Sequence, residues 1–159
     1  MATKPELSGA LDKQVGGNHY KKGIQPFHLS YANGHDGCIH AMTKYMTRHR
    51  RKDPEKGYED CQKAHHITGI RLDLISLVGE PAPPPRPRLP IQDYVEANEL
   101  VTQDAVAVYA IEAWHERWNA GSATRQGATH EMWHNNIRSL IRAAAQAAYP
   151  EFYNEKDFV

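Results

Sequence analysis

Twelve consecutive residues, Gly79–Pro90, hold six of the chain's ten prolines. Proline fixes φ and has no N–H to donate, so neither a helix nor an inner strand runs through such a stretch. Extended polyproline II is the conformation left to it, and the stretch reads as a semi-rigid linker. It divides the 159 residues into two short segments, and each must bury its apolar residues with little material of its own.

Both segments carry helical periodicity and neither carries convincing two-residue alternation, so the expected fold class is all-α. In the first segment, residues 1–14 are polar and expected to fray. Val15–Gly23 is a glycine-punctuated loop. Pro26–Asn33 suits a short helix, with Pro26 at an early position and Gly34 as its stop. A longer helix is expected from about Gly37 to Arg51, with Ile39, Met42, Tyr45, Met46 and His49 on one face. A turn at Asp53–Gly57 and a second long helix over Tyr58–Val78 complete a helical hairpin, with Cys61, Ala64, Ile67, Ile70, Leu74, Ile75 and Val78 inward. In the second segment, a short helix is expected over Asp93–Leu100. A helix capped by Thr102 or Asp104 would reach Trp118, with Val106, Ala110, Ala113, Trp114 and Trp118 inward. A last helix, capped by Thr129, would end near Tyr149. The expected layout is a helical module at 15–79, a linker at 80–90 and a second helical module at 91–159.

The halves also echo each other. Ile24-Gln25 and Tyr31-Ala32-Asn33 are matched by Ile91-Gln92 and Glu96-Ala97-Asn98, and two longer helices follow each. A degenerate internal repeat serving assembly is one reading, and coincidence is the other.

Net charge bears on partners only after this division. The whole chain has 19 basic and 19 acidic residues and a formal charge of zero. Residues 1–80 carry 12 Lys/Arg against 9 Asp/Glu, and residues 81–159 carry 7 against 10. The cations are densest in Lys44–Lys52, where Lys44 and Arg48 share a helix face and Arg51 follows. Guanidinium and ammonium groups so grouped suit phosphate oxygens, while a solvated helix end is the plainer alternative. Gly16-Gly17-Asn18-His19-Tyr20-Lys21 could offer successive backbone N–H groups to an anion. No GxxxxGK[ST] or GxGxxG pattern occurs, so a P-loop enzyme is excluded. Glu59 and Lys63 form an i,i+4 pair, with Asp60 beside them and His66 one turn on.

His130-Glu131-Met132-Trp133-His134 matches HExxH and is a weak candidate for a zinc site. No further histidine follows it, and no metal site is otherwise expected. Cys38 and Cys61 are too few for a disulfide framework and read as small core residues. No apolar run is long enough to span a membrane, and Met1–Glu6 has no leader-like apolar stretch. A cytoplasmic protein without a membrane partner is expected.

The ordered series Val15–Lys21, Ile24-Gln25-Pro26, Ala32-Asn33-Gly34, Lys44-Tyr45 with Thr47-Arg48, and Glu59-Asp60 with Lys63-Ala64 resembles the small bacteriophage deoxynucleoside monophosphate kinases that lack a P-loop. The resemblance covers residues 14–76. It implies phosphate transfer from a nucleoside triphosphate to dTMP or dGMP, in a homo-oligomer, in the infected host's cytoplasm. It carries Gly16, Gly17, Asn18, His19, Tyr20, Lys21, Gln25, Asn33, Lys44, Tyr45, Arg48, Glu59, Asp60 and Lys63 into the site. Arg51 and His66 join them as neighbours. Lys21, Lys44, Arg48 and Lys63 would neutralise phosphates, and His19 or Asp60 would polarise the acceptor. Tyr20 or Tyr45 would stack on the base, and a role for Mg2+ stays open. Two positions depart from the family pattern: His40-Ala41 stands in place of Gly-Asn, and His66 in place of Tyr.

Three other functions compete, beside a weaker reading of His130, Glu131 and His134 as a zinc hydrolase with Glu131 as general base. One is a non-catalytic oligomer that sequesters nucleotides through the same pocket. Another is an all-α nucleoside triphosphate pyrophosphohydrolase, which needs more carboxylates on paired helices than Glu59, Asp60 and Asp73 supply. The third is nucleic-acid binding through residues 44–52, for which one basic cluster in a neutral chain is thin support.

Overall fold

The structure is a computed structural model and describes residues 23–117 and 129–159. The helices are α1 (Pro26–Asn33), α2 (Gly37–Arg48), α3 (Pro54–Val78), α4 (Ile91–Ala97), α5 (Thr102–Glu116) and α6 (His130–Ala148). A 3₁₀ turn, His49–Arg51, extends α2, and another, Glu155–Phe158, follows α6. The described residues hold no strand, so the fold is all-α.

Local chemistry accounts for the boundaries. Pro26 opens α1, and Gly34 closes it in the left-handed region at φ 67°. The Asp36 side chain caps α2 by accepting from the Ile39 N–H. Pro54 sits in the first turn of α3, so the segment expected as a turn at 53–57 is the start of the helix. Thr129 caps α6 by accepting from the Met132 N–H, as expected. Neither Thr102 nor Asp104 caps α5; its N-cap is Val101, and Asp104 is buried.

The four long helices close a ring of contacts, α2 on α3, α3 on α6, α6 on α5 and α5 on α2. One core therefore spans both sides of the proline segment, with Ile39, Met42 and Met46 from the first half and Ile111, Trp114, Ile137 and Ile141 from the second. Each such side chain contributes roughly 1.5–3 kcal/mol on burial. Expected as a linker between two modules, the proline segment instead lies along one shared body. Gly57 shows how closely the halves meet: a Cβ there would sit 2.2 Å from the Tyr149 hydroxyl and 2.3 Å from the His49 carbonyl.

Two asparagines fasten the halves reciprocally. At the end of α1, Asn33 donates from Nδ2 to the Leu89 carbonyl (2.8 Å) and accepts at Oδ1 from the Arg88 and Leu89 N–H groups (3.0 and 2.9 Å). At the end of α4, Asn98 donates from Nδ2 to the Ile24 carbonyl (3.0 Å). Each asparagine thus grips the residue just before the N-cap of the other half's short helix.

The spacing from Asn33 to Asn98 also relates Ile24 to Leu89, Pro26 to Ile91, left-handed Gly34 to left-handed Glu99, and Gly37 to Thr102. The buried positions of α2 and the following turn, Ile39, Met42, Thr43, Met46, Thr47 and His49, fall by that spacing on Asp104, Ala107, Val108, Ile111, Glu112 and Trp114, all buried. The halves follow one plan, in a register two residues away from the Ile-Gln echo in the sequence.

Asn33→Ala removes three backbone tethers and a contact to Glu112, and should cost about 3 kcal/mol of unfolding free energy. Asn98→Ala should cost about 2 kcal/mol. Urea denaturation followed by circular dichroism measures both, and a cost below about 0.5 kcal/mol for either would contradict the clamp.

Candidate functional site

The last turns of α2 face the first turns of α3, which gathers the cationic residues of the first half. Tyr45 forms the centre. Lys44 Nζ lies 4.9 Å from its ring centroid, Arg48 Cζ 5.1 Å and Lys63 Nζ 5.8 Å. The electron-rich ring face offsets part of the repulsion among these cations. Beneath them Asp60 is fully buried. It accepts from Arg48 Nε at 3.1 Å, Arg48 Nη2 at 3.4 Å and Lys52 Nζ at 3.3 Å. Burial lowers the pKa of Lys44, and Arg48 beside it lowers it further. The Glu59–Lys63 pair is formed at 3.5 Å on the exposed side of α3, and His66 is exposed one turn on. The assembly is a half-buried row of cations braced by one carboxylate, the complement of a small polyanion.

The structure therefore brings Lys44, Tyr45, Arg48, Glu59, Asp60 and Lys63 onto one face. It adds Lys52, which the sequence placed in the basic run without assigning it a site role. Asp60, expected as a possible general base, is enclosed and held by two cations. It positions Arg48 and is not open to a substrate proton. Three expected site residues lie elsewhere. Asn33 is buried and its side chain is spent on the seam between halves. Arg51 donates to the Asn98 carbonyl and side chain, at 2.8 and 3.2 Å, and so belongs to the same seam. Gln25 is the N-cap of α1, where its carbonyl accepts from the His28 and Leu29 N–H groups. Gly16, Gly17, Asn18, His19, Tyr20 and Lys21 lie outside the described residues.

The HExxH residues do not gather as metal ligands. His130 Nδ1 accepts from Trp114 Nε1 at 3.0 Å and its Nε2 faces Glu80 at 2.9 Å. His134 lies against Arg138, and Glu131 is exposed. Among the described residues, the side chains that do converge as a possible ligand set are His35, Glu112 and His115. Their separation in the chain hid them from any motif.

Comparison of the chain with protein-family models, with curated proteins and with solved structures gives no match.

Two measurements follow from the charged groups. Asp60→Asn leaves Arg48 and Lys52 without their counter-charge and should cost about 1–3 kcal/mol, read by thermal or urea unfolding. His65 accepts from Arg138 Nε at 3.0 Å. Burial, and then the Arg138 charge, push its pKa down to about 4. The unfolded chain then binds the extra proton between about pH 6.5 and 4, so stability falls as pH drops through that window. The loss at pH 5 should be about 1–2 kcal/mol and should shrink in His65→Gln. An unchanged acid slope in that variant would remove His65 as its source.

Proposed function

We propose that the chain is a nucleotide phosphotransferase that moves phosphate from a nucleoside triphosphate to a deoxynucleoside monophosphate of the dTMP or dGMP type. The observation that carries this reading is the convergence of Lys44, Arg48 and Lys63 around one aromatic ring, over a buried carboxylate. Phosphoryl transfer is catalysed by alignment and by neutralising the charge on the transferring group. A monophosphate acceptor loses its second proton near pH 6, so its attacking oxygen is already bare at neutral pH. The reaction therefore needs no general base, which agrees with an Asp60 committed to holding Arg48. Tyr45 offers a ring for base or ribose contact beside the cations. Exposed Leu74, Leu77 and Val78 on the last turns of α3 support self-association.

A second reading is a nucleotide-binding protein without catalysis. The same enclosed Asp60 favours it, because the carboxylate closest to the cations is committed to holding Arg48 and Lys52 and not to chemistry. A cation excess of this kind is the reverse of what a carboxylate-rich pyrophosphohydrolase centre requires.

Incubation of the protein with a dNMP and ATP, with chromatography of the products, separates these. A nucleoside diphosphate should form, and Arg48→Ala should lower the rate at least ~10²-fold while helix content stays unchanged. Nucleotide binding without diphosphate would select the second reading. Turnover unaffected by Arg48→Ala would remove this site from the reaction.

A further inference from the structure

The corner between α1 and α2 meets α5 at a cluster unrelated to the cationic face. His35 Nε2 lies 2.6 Å from Glu112 Oε2, and both side chains are within 2% of complete burial. His115 is buried beside them, its ring edge-on to that of His35 at a centroid distance of 4.7 Å. One ligand atom from each of the three lies within 4.8 Å of the others.

Each member is also oriented through its far atom. His35 Nδ1 is 3.0 Å from Ser30 Oγ, which in turn is 2.7 Å from His40 Nδ1. Glu112 Oε1 accepts from Asn33 Nδ2 at 3.0 Å. His115 Nε2 is 2.8 Å from the Asn33 carbonyl oxygen, which only accepts, so that nitrogen carries a proton. In the neutral ring Nδ1 then holds the free lone pair. Burial lowers the His115 pKa and favours that neutral ring. His35 and Glu112 are each braced through the atom that faces away from the other, and His115 is braced through Nε2. Hydrogen-bonded imidazoles and carboxylates of this kind are how proteins prepare ligands for a transition-metal ion.

We propose that His35 Nε2, Glu112 and His115 Nδ1 form a binding site for a borderline divalent metal of the zinc class. The donor set fits that class: nitrogen and carboxylate donors suit Zn2+, whereas Ca2+ and Mg2+ favour all-oxygen shells. Three protein ligands leave a coordination position for water, as in sites that are not purely structural. His35 also belongs to the lining of a cavity of about 640 Å3, with Ser30, Asp36 and His40.

Binding requires a tautomer change that the surroundings accommodate. With Nε2 on the metal, His35 carries its proton on Nδ1 and donates to Ser30 Oγ, the Ser30 hydroxyl turns to donate to His40 Nδ1, and His40 carries its own proton on Nε2. No buried polar atom of that chain loses its partner. His35 Nε2 and Glu112 Oε2 must part from 2.6 Å to on the order of 3.3 Å, the edge of a zinc tetrahedron. The site joins the two halves of the chain and is independent of the phosphotransferase reading.

The full-length protein, stripped with a chelator and shown to be helical by circular dichroism, is titrated calorimetrically with Zn2+. One ion per chain should bind and raise the melting temperature. Glu112→Gln, which keeps an acceptor for Asn33, and His115→Gln should abolish stoichiometric binding. Ser30→Ala, which removes only a brace, should weaken it about 10–100-fold. His134→Gln should leave it unchanged. Absence of stoichiometric binding by the folded wild-type chain would overturn the proposal. So would binding that survives both Glu112→Gln and His115→Gln, or binding lost in His134→Gln.

Discussion

A single buried asparagine decides where half of this chain lies. Irregular backbone brought against a core must find partners for its N–H and C=O groups, and a proline-rich segment has few N–H groups with which to build its own structure. Asn33 supplies both a donor and acceptors at one point of that segment, at Arg88 and Leu89. The crossing is thereby fixed at the residue before the N-cap of α4, and α4 and α5 follow from there. The same residue reaches Glu112 through its side chain and His115 through its carbonyl, so the seam and the buried histidine cluster share one anchor. Asn98 repeats the device toward Ile24, with Arg51 as its further partner.

The common plan of the halves sharpens the contrast in their surfaces. By the spacing that relates Asn33 to Asn98, Lys44 corresponds to Tyr109, Tyr45 to Ala110 and Arg48 to Ala113. The core positions of α2 have buried counterparts on α5, while Lys44 and Arg48 have no cationic ones; Lys52 falls on Arg117, which is itself paired with Glu80. One face of a two-part body is thus charged for anions and its counterpart is not. On the charged face, Asp60 draws Arg48 and Lys52 inward and limits how far they follow solvent. Fixed charges of this kind act on a phosphate without a large reorganisation cost.

Helix identity was largely legible in the sequence because proline, glycine and apolar spacing act locally. Pro26, Gly34, Thr129 and the Ile39–Met42–Met46 face all behave as their local chemistry dictates. The inward face of α5 was not legible. Val106, expected inside, is 41% exposed, while Asp104 and Glu112 are buried. Their burial depends on His49 and Arg50 in one case and on His35 and Asn33 in the other, all distant in the chain. A carboxylate marks a helix face as polar until its partner is known. The end of α3 errs the other way: Leu74 and Val78 are apolar at core spacing yet exposed, while Ile75 between them packs against the core. For the candidate site, the residues adjacent on α2 and α3 could be grouped from spacing. Asn33 and Arg51 could not be separated from them, because a seam across the chain leaves no local signature.

The reciprocal clamp also bears on how this body responds to dilution. Where two copies of a helical hairpin meet as separate molecules, their union obeys mass action and fails at low concentration. Here both hairpins belong to one chain, and the segment between them holds the second near the first at an effective concentration in the millimolar range for a short tether. The pairing of the halves is thus a first-order event, as available to one copy in a cell as to thousands.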